Sequence, residues 1–202
     1  DDDSKDGTQE RIKEIITKDK KTILFVRKNK IGIGSAHKYA FKYAFKKKYH
    51  FLITMDADFS HNPKLINKMI KLRNSYHIIQ TNRFKNRNSL KDWPFYRIIL
   101  TNIRFLLLYV LLDIKYDSSG AFRCYNLQKI KLSTLIKAKH DGYSFFWESM
   151  YFFCKNNFKI KELSGVQKYR KRGSSKLSAK EWVGGLIYLL YFYIKEVIQT
   201  KS

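Results

Sequence analysis

The stretch ITMDADFSHNP, residues 53–63, ends an apolar run with two carboxylates one residue apart. Phe51, Leu52, Ile53 and Met55 read as a buried strand, and Asp56 and Asp58 stand where it stops. Two roles suit such a pair: capping the helix that begins near Pro63, or holding something positively charged. Working outward, TILFVRK (22–28) reads as a short buried strand and HIIQTNR (77–83) as another. Between the strands, helical periodicity covers Gln9–Lys18, with Ile12, Ile15 and Ile16 facing inward. It covers the segment after GIGSA, with Ala36, Tyr39, Ala40, Tyr43 and Ala44 apolar, and again Pro63 to about Arg73. This β-α-β-α-β alternation predicts an α/β fold, a mostly parallel sheet flanked by helices. Ligands on such sheets bind beyond the carboxyl ends of the strands. Asp56 and Asp58 occupy one such end and Arg83 another. Asp1 and Asp2 would follow a strand ahead of them.

Composition narrows the partners. With 41 Lys and Arg against 17 acids, the formal charge of +24 implies an anionic partner: nucleic acid, nucleotide diphosphates or an acidic lipid surface. At 202 residues there is enough chain for one sizeable domain. Cys124 and Cys154 form no CxxC and read as buried thiols, and the scattered histidines lack metal-ligand spacing. The opening DDDSKDGT looks like a turn after a strand, running into a helix capped near Asp6 or Thr8. That strand is absent, so the chain is expected to be a fragment lacking its first βαβ portion.

The second half changes character. Residues 82–93 form a polar, basic loop, a candidate lid. WPFYRIILTNIRFLLLYVLLDI (93–114) is apolar but interrupted by Arg97 and Arg104, and reads as a buried or interfacial helix. Residues 126–138 and the aromatic run GYSFFWESMYFFCKNN read as helices, and KIKELS as a strand before a basic loop. Trp182–Ile194, bounded by Glu181 and Lys195, suits an amphipathic helix in a membrane interface. The alternative is a terminal helix docked on the core. The expected division is a catalytic domain over 1–177 and this helical segment over 178–202.

Singly the motifs are weak; GIGSA, for instance, lacks the third glycine of a dinucleotide fingerprint. Their order is specific. DDDSKDGT, GIGSA, MDADFSHNP, NRF, WPFYRIILTN, DSSGAFRCYN, GYSFFWESM and RKRGSSKLS together resemble the family 2 glycosyltransferases. Within that family the chain is most similar to the dolichol-phosphate mannosyltransferases and their bacterial polyprenyl-phosphate relatives. The resemblance implies a GT-A, Rossmann-like fold in which Asp56 and Asp58 hold Mg²⁺ or Mn²⁺. Asp58 would ligate directly; Asp56 would support the metal or the ribose. Asp1, Asp2 and Ala57 would belong to the donor site. Arg83, Arg97, Arg170 and Lys176 would grip the donor diphosphate and the acceptor phosphate. Ser60 stands where many relatives carry an additional Gln ligand, and Thr81 and Asn82 replace the small residues that usually precede the first arginine. Asp117 and Glu148 match family positions and read as structural.

The implied reaction moves a hexose, mannose from GDP-mannose, to a polyprenyl phosphate at the cytoplasmic face of a membrane, with the protein bound peripherally. Glucosyl transfer from UDP-glucose is the enzymatic rival. A basic nucleic-acid-binding module is the rival of another class, but it leaves the acidic strand end without a role, so no nucleic-acid partner is expected. A non-catalytic remnant is the third alternative, because the family's nucleotide-binding PxYNE segment does not occur in the chain. No general base is needed, since a phosphate monoester is already an anionic nucleophile at neutral pH.

Overall fold

A computed structural model describes residues 1–29, 31–86, 88–90, 93–165 and 179–198. Four short strands form one sheet: β1 (Phe51–Thr54), β2 (Ile78–Asn82), β3 (Arg123–Asn126) and β4 (Ile160–Ser164), in the spatial order β1-β3-β2-β4. β3 lies antiparallel between β1 and β2, while β4 runs parallel to β2. Three strands therefore share one direction and β3 opposes them. The α/β class holds, and the sheet is mixed because β3 runs antiparallel between β1 and β2. One consequence matters for the site. The carboxyl ends of β1, β2 and β4 and the amino end of β3 meet at one edge, where Thr54 and Gln80 both pair with Arg123 and Asn82 pairs with Ser164.

The helices are α1 (Thr8–Lys18), α2 (Ile33–Lys46), α3 (Leu65–Leu72), α4 (Phe95–Leu112), α5 (Leu132–Leu135), α6 (Phe145–Lys155) and α7 (Ala179–Tyr193), which continues into a π-helical turn over Ile194–Ile198. Helix α6 is the centre of the core. Phe145, Phe146, Trp147, Met150, Phe152 and Phe153 are buried against Phe41 of α2, Leu108 of α4 and Tyr125 of β3. Full burial of side chains this size stabilises by about 1.5–3 kcal/mol each before entropy is counted.

Several sequence expectations change for local reasons. Residues 22–28 join no ladder, and Ile23 and Val26 are exposed rather than buried. Their pairing is a single parallel bridge to Asp1, whose amino group donates to Phe25 O while Arg27 N–H donates back to Asp1 O. In α1 no residue is buried, and Ile15 points outward. In α2 the inward positions are Phe41 and Ala44, and Tyr39 is largely exposed. The helix expected over 126–138 shrinks to α5. Asn126 Oδ1 accepts the Gln128 N–H, an Asx turn that competes with helical bonding at its start.

Helices α4 and α7 each have two faces. On α4, Leu108 and Leu112 are buried, whereas Phe95, Tyr96, Ile99, Ile103, Leu106 and Val110 are exposed at helical spacing. Helix α4 is, among the described residues, the one helix long and apolar enough to cross a membrane by length and composition. On α7, Leu189 and Phe192 are buried, with Phe192 edge-on to Trp147 and Tyr151, while Val183, Ile187, Leu190, Tyr191 and Ile194 are exposed. One stripe of α7 docks on the core, as in the alternative expectation, and the other is apolar and exposed.

Candidate active site

The convergent strand edge opens into a cavity of about 120 Å³. Asp56 lines it from beyond β1, Arg83 from beyond β2, and Ser119, Gly120 and Ala121 from the loop entering β3. Helix α4 contributes Arg97, Thr101 and Arg104, whose i, i+4, i+7 spacing puts them on one face. Trp93, Tyr143, Phe146 and Trp182 supply aromatic walls.

Arg83 is held from beneath. Its Nε and Nη2 donate to the two oxygens of Asp117 at 2.9 and 2.8 Å, and its own backbone N–H reaches the same carboxylate at 3.0 Å. Ser119 Oγ accepts from Nη2 as well. Burial alone would raise the Asp117 carboxyl, but the charge and hydrogen bonds of Arg83 hold it below the usual range. Glu162 of β4 completes the network. It accepts from Gln80 Nε2 at 3.0 Å, from the Asp117 N–H at 2.8 Å and from Asn82 Nδ2 at 2.7 Å. Glu162 and Asp117 are satisfied in this network, while Gln80 Oε1 is buried without a partner among the described residues; such a network fixes geometry more than it adds stability. The Trp93 ring then lies 4.8 Å from the Arg97 guanidinium and 5.9 Å from that of Arg83, tying the two cations to one surface.

Arg104 was legible in the sequence only as an interruption of an apolar run. In the fold it faces the cavity, and among the described residues no ion pair or hydrogen bond engages it. Burial, then the charge of Arg83, opposed by Asp117 and reinforced by Arg97, pulls its guanidinium down to about 10. The missed signal was its seven-residue spacing from Arg97.

The acidic turn is built by the segment that follows it. His61 is buried against Phe122, and its Nδ1 accepts the Asp56 N–H at 3.0 Å. Asp58 Oδ1 accepts the Ser60 N–H at 3.1 Å, and Phe59 adopts a left-handed φ of 62°. The fold thus directs Asp56 into the cavity; Asp58 shares its turn but is not part of the wall, and Ala57 is exposed between them. Among the described residues no three His, Cys, Asp or Glu cluster as a metal site.

The other candidate positions separate. Asp2 receives Arg27 Nε and Nη2 at 2.7 and 2.8 Å, and Arg27 Nη1 bonds Ser35 Oγ at 2.8 Å. Asp1 Oδ1 accepts from Ser4 N–H and Gln9 Nε2. Both acids brace the first turn of the chain and the start of α2, and neither lines the cavity. The GIGSA glycines are packing devices. A Cβ on Gly34 would lie 2.6 Å from Phe145 Cβ, and the N–H groups of Gly34 and Ser35 are both taken by Asp141 O. Glu148 likewise serves structure, accepting the Lys139 and His140 N–H groups and the Tyr188 hydroxyl. Arg170 and Lys176 lie outside the described residues.

The chain resembles known proteins over most of its length. Residues 1–132 match the family profile for glycosyl transferase family 2. A polyprenol monophosphomannose synthase of Mycolicibacterium smegmatis is 25% identical over 181 residues, covering 88% of this chain and 68% of that protein. An undecaprenyl-phosphate mannosyltransferase of Micrococcus luteus is 23% identical over 188 residues, covering 93% and 75%. A crystal structure of a nucleotide-diphospho-sugar transferase from Desulfovibrio desulfuricans aligns over 84% of this chain and 66% of its own, with 13% identity and a TM-score of 0.41.

Proposed function

The chain belongs to glycosyl transferase family 2, and from that premise we propose that it transfers a hexose, mannose from GDP-mannose, to a polyprenyl phosphate, with inversion. The names of the two relatives support the acceptor and the sugar. The observation that carries the reading is the meeting of the Asp56 carboxylate with Arg83, just beyond β2, and the arginines of α4 in one cavity. Guanidinium forks suit phosphate oxygens, and a low-dielectric wall strengthens them where the leaving diphosphate gathers charge.

In this mechanism the acceptor phosphate oxygen attacks the anomeric carbon as the bond from that carbon to the donor diphosphate breaks. Arg83, immobilised by Asp117, and Arg97, laid on Trp93, bind and orient phosphate oxygens. The acceptor is already ionised, so no side chain has to remove a proton. The chemistry at Asp56 and Asp58 fits a hard divalent cation with few protein ligands and the balance from phosphate and water. Mg²⁺ or Mn²⁺ held there would neutralise the diphosphate. Arg170 and Lys176 are assigned to the same phosphates.

The exposed apolar stripes of α4 and α7, with a net charge of +24, support peripheral binding to an anionic membrane surface, which we assign to the cytoplasmic face. The test is direct. Protein incubated with radiolabelled GDP-mannose or UDP-glucose and polyprenyl phosphate should carry label into the lipid extract, and EDTA should stop it. Label from UDP-glucose alone would replace mannose by glucose, and label from neither donor would defeat the proposal.

A further inference from the structure

Arg123, at the start of β3, is the largest fully buried side chain among the described residues, and the proposed reaction gives it no task. Among the described residues no carboxylate forms an ion pair with it; Asp117, at the head of the loop before it, is committed to Arg83. Its partners are neutral. Nη2 donates to Ser118 O at 2.9 Å and to Phe146 O at 3.1 Å, and Nη1 donates to Ser149 Oγ at 3.3 Å. The guanidinium also lies 5.5 Å from the centre of the Phe146 ring. A buried cation without a counter-ion is expensive, and an apolar side chain of similar volume would fill the same space at lower cost. What a guanidinium supplies, and a methionine or leucine does not, is a rigid planar fork that ties two elements together. Here those elements are the loop entering β3 and the first turn of α6.

Both are walls of the cavity. Ser119, Gly120 and Ala121 line it from the loop, and Phe146 lines it from α6. The same loop carries Asp117 and Ser119, the two residues that fix the Arg83 fork. Its far end is held by Thr54 Oγ1, which donates to Ala121 O at 2.6 Å. A Cβ on Gly120 would meet nothing within 4 Å, so the loop borders open space between these anchors. At Ser118 it is Arg123 that ties the loop down.

We propose that Arg123 is a positioning residue for the transfer: through the Ser118 carbonyl it holds the loop against α6, in the place from which Asp117 and Ser119 aim the Arg83 guanidinium at the donor diphosphate. This deepens the proposed reaction and rests on its assignment of Arg83 to that diphosphate. Arg123 touches no ligand itself, and its effect reaches the cavity through Asp117 and Ser119.

The probe is inorganic pyrophosphate, the group common to nucleotide-sugar donors, titrated by calorimetry in metal-free buffer so that no cation bridges it. The proteins are the wild type, Arg123→Lys, Arg123→Met, Asp117→Asn and the double variant Arg123→Lys, Asp117→Asn, each also unfolded in urea. Arg123→Lys keeps the charge and loses the fork. It should weaken pyrophosphate about fivefold or more, and Arg123→Met should weaken it at least as much. In the Asp117→Asn background, where Arg83 has lost its anchor, Arg123→Lys should change the affinity by less than about twofold. A residue that merely supports the fold would lower the urea midpoint and weaken pyrophosphate by the same factor in both backgrounds; that result would overturn the proposal. Wild-type affinity in Arg123→Lys would overturn it as well, since the fork would then be dispensable. Should Arg123→Lys not fold, Ser149→Ala, which removes the Nη1 partner, takes its place. Weaker binding that vanishes as a difference in the Asp117→Asn background supports the proposal, and unchanged binding overturns it. No pyrophosphate binding by the wild type would defeat the diphosphate reading of the cavity and the proposal with it. The expected pattern in the absence of transfer from any donor would refute the reaction and leave Arg123 its positioning role.

Discussion

Replacing Asp117 by Asn tests the foundation of the site. The carboxylate is 1% exposed and accepts three bonds from Arg83, itself 6% exposed, so the substitution leaves a guanidinium charge beside a neutral amide. Removing one partner of a buried pair costs about 3–5 kcal/mol, because the remaining charge has lost both water and its counter-ion. Arg83 borders the cavity, where water can reach part of it, which points to the lower end, about 3 kcal/mol. For a domain of this size that corresponds to a fall in Tm of roughly 6–12 °C. Urea unfolding should show the loss as a lower midpoint at unchanged slope. The pH dependence has a definite sign. The folded-state pKa of Asp117 is depressed, so its contribution is complete above the unfolded value near 3.8 and is lost as pH falls through the folded value. Asp117→Asn should therefore flatten the acid limb of the stability profile below about pH 4. The double variant Arg83→Met, Asp117→Leu should recover much of the loss, since no orphaned charge remains. A loss below about 1 kcal/mol, or a double variant less stable than Asp117→Asn, would refute the reasoning.

Other outcomes follow from the same geometry. Asp58→Asn should abolish sugar transfer and weaken Mn²⁺-dependent GDP binding at unchanged Tm; full transfer would remove the metal reading. On α7 the two faces should separate: Leu189→Ala and Phe192→Ala should each cost about 2–5 kcal/mol in urea unfolding. Ile187→Ser with Leu190→Ser should instead reduce sedimentation with anionic liposomes and leave the unfolding midpoint in place. Gly34→Ala should cost about 1–3 kcal/mol by overpacking, because Phe145 Cβ and the His140 and Asp141 carbonyls all lie within 3.0 Å of the added carbon; an unchanged Tm would show that the 140–142 loop yields freely.

The sequence by itself determined the fold class and the family. Period-two and period-3.6 apolar patterns are local, so β1, β2, α3, α4 and α6 were readable where they stand. The ordered motifs carried the family, and the strand-end logic placed Asp56 and Arg83 on the same edge. Local pattern failed where a partner decides the outcome. Residues 22–28 have strand composition but only a single bridge to Asp1, and Asn126 spends its side chain on a turn that shortens α5. The tertiary structure alone decided that β3 runs antiparallel between β1 and β2, which brings Ser119–Ala121 to the cavity. It alone gave Asp117 and Glu162, 34 and 82 residues from the Arg83 and Gln80 side chains they bond, a part in the site. It also turned Arg104 from a break in an apolar helix into a cation facing the cavity. Spacing along one helix states which residues share a face; what that face meets depends on α7 and the loop before β3, which the chain supplies only by folding.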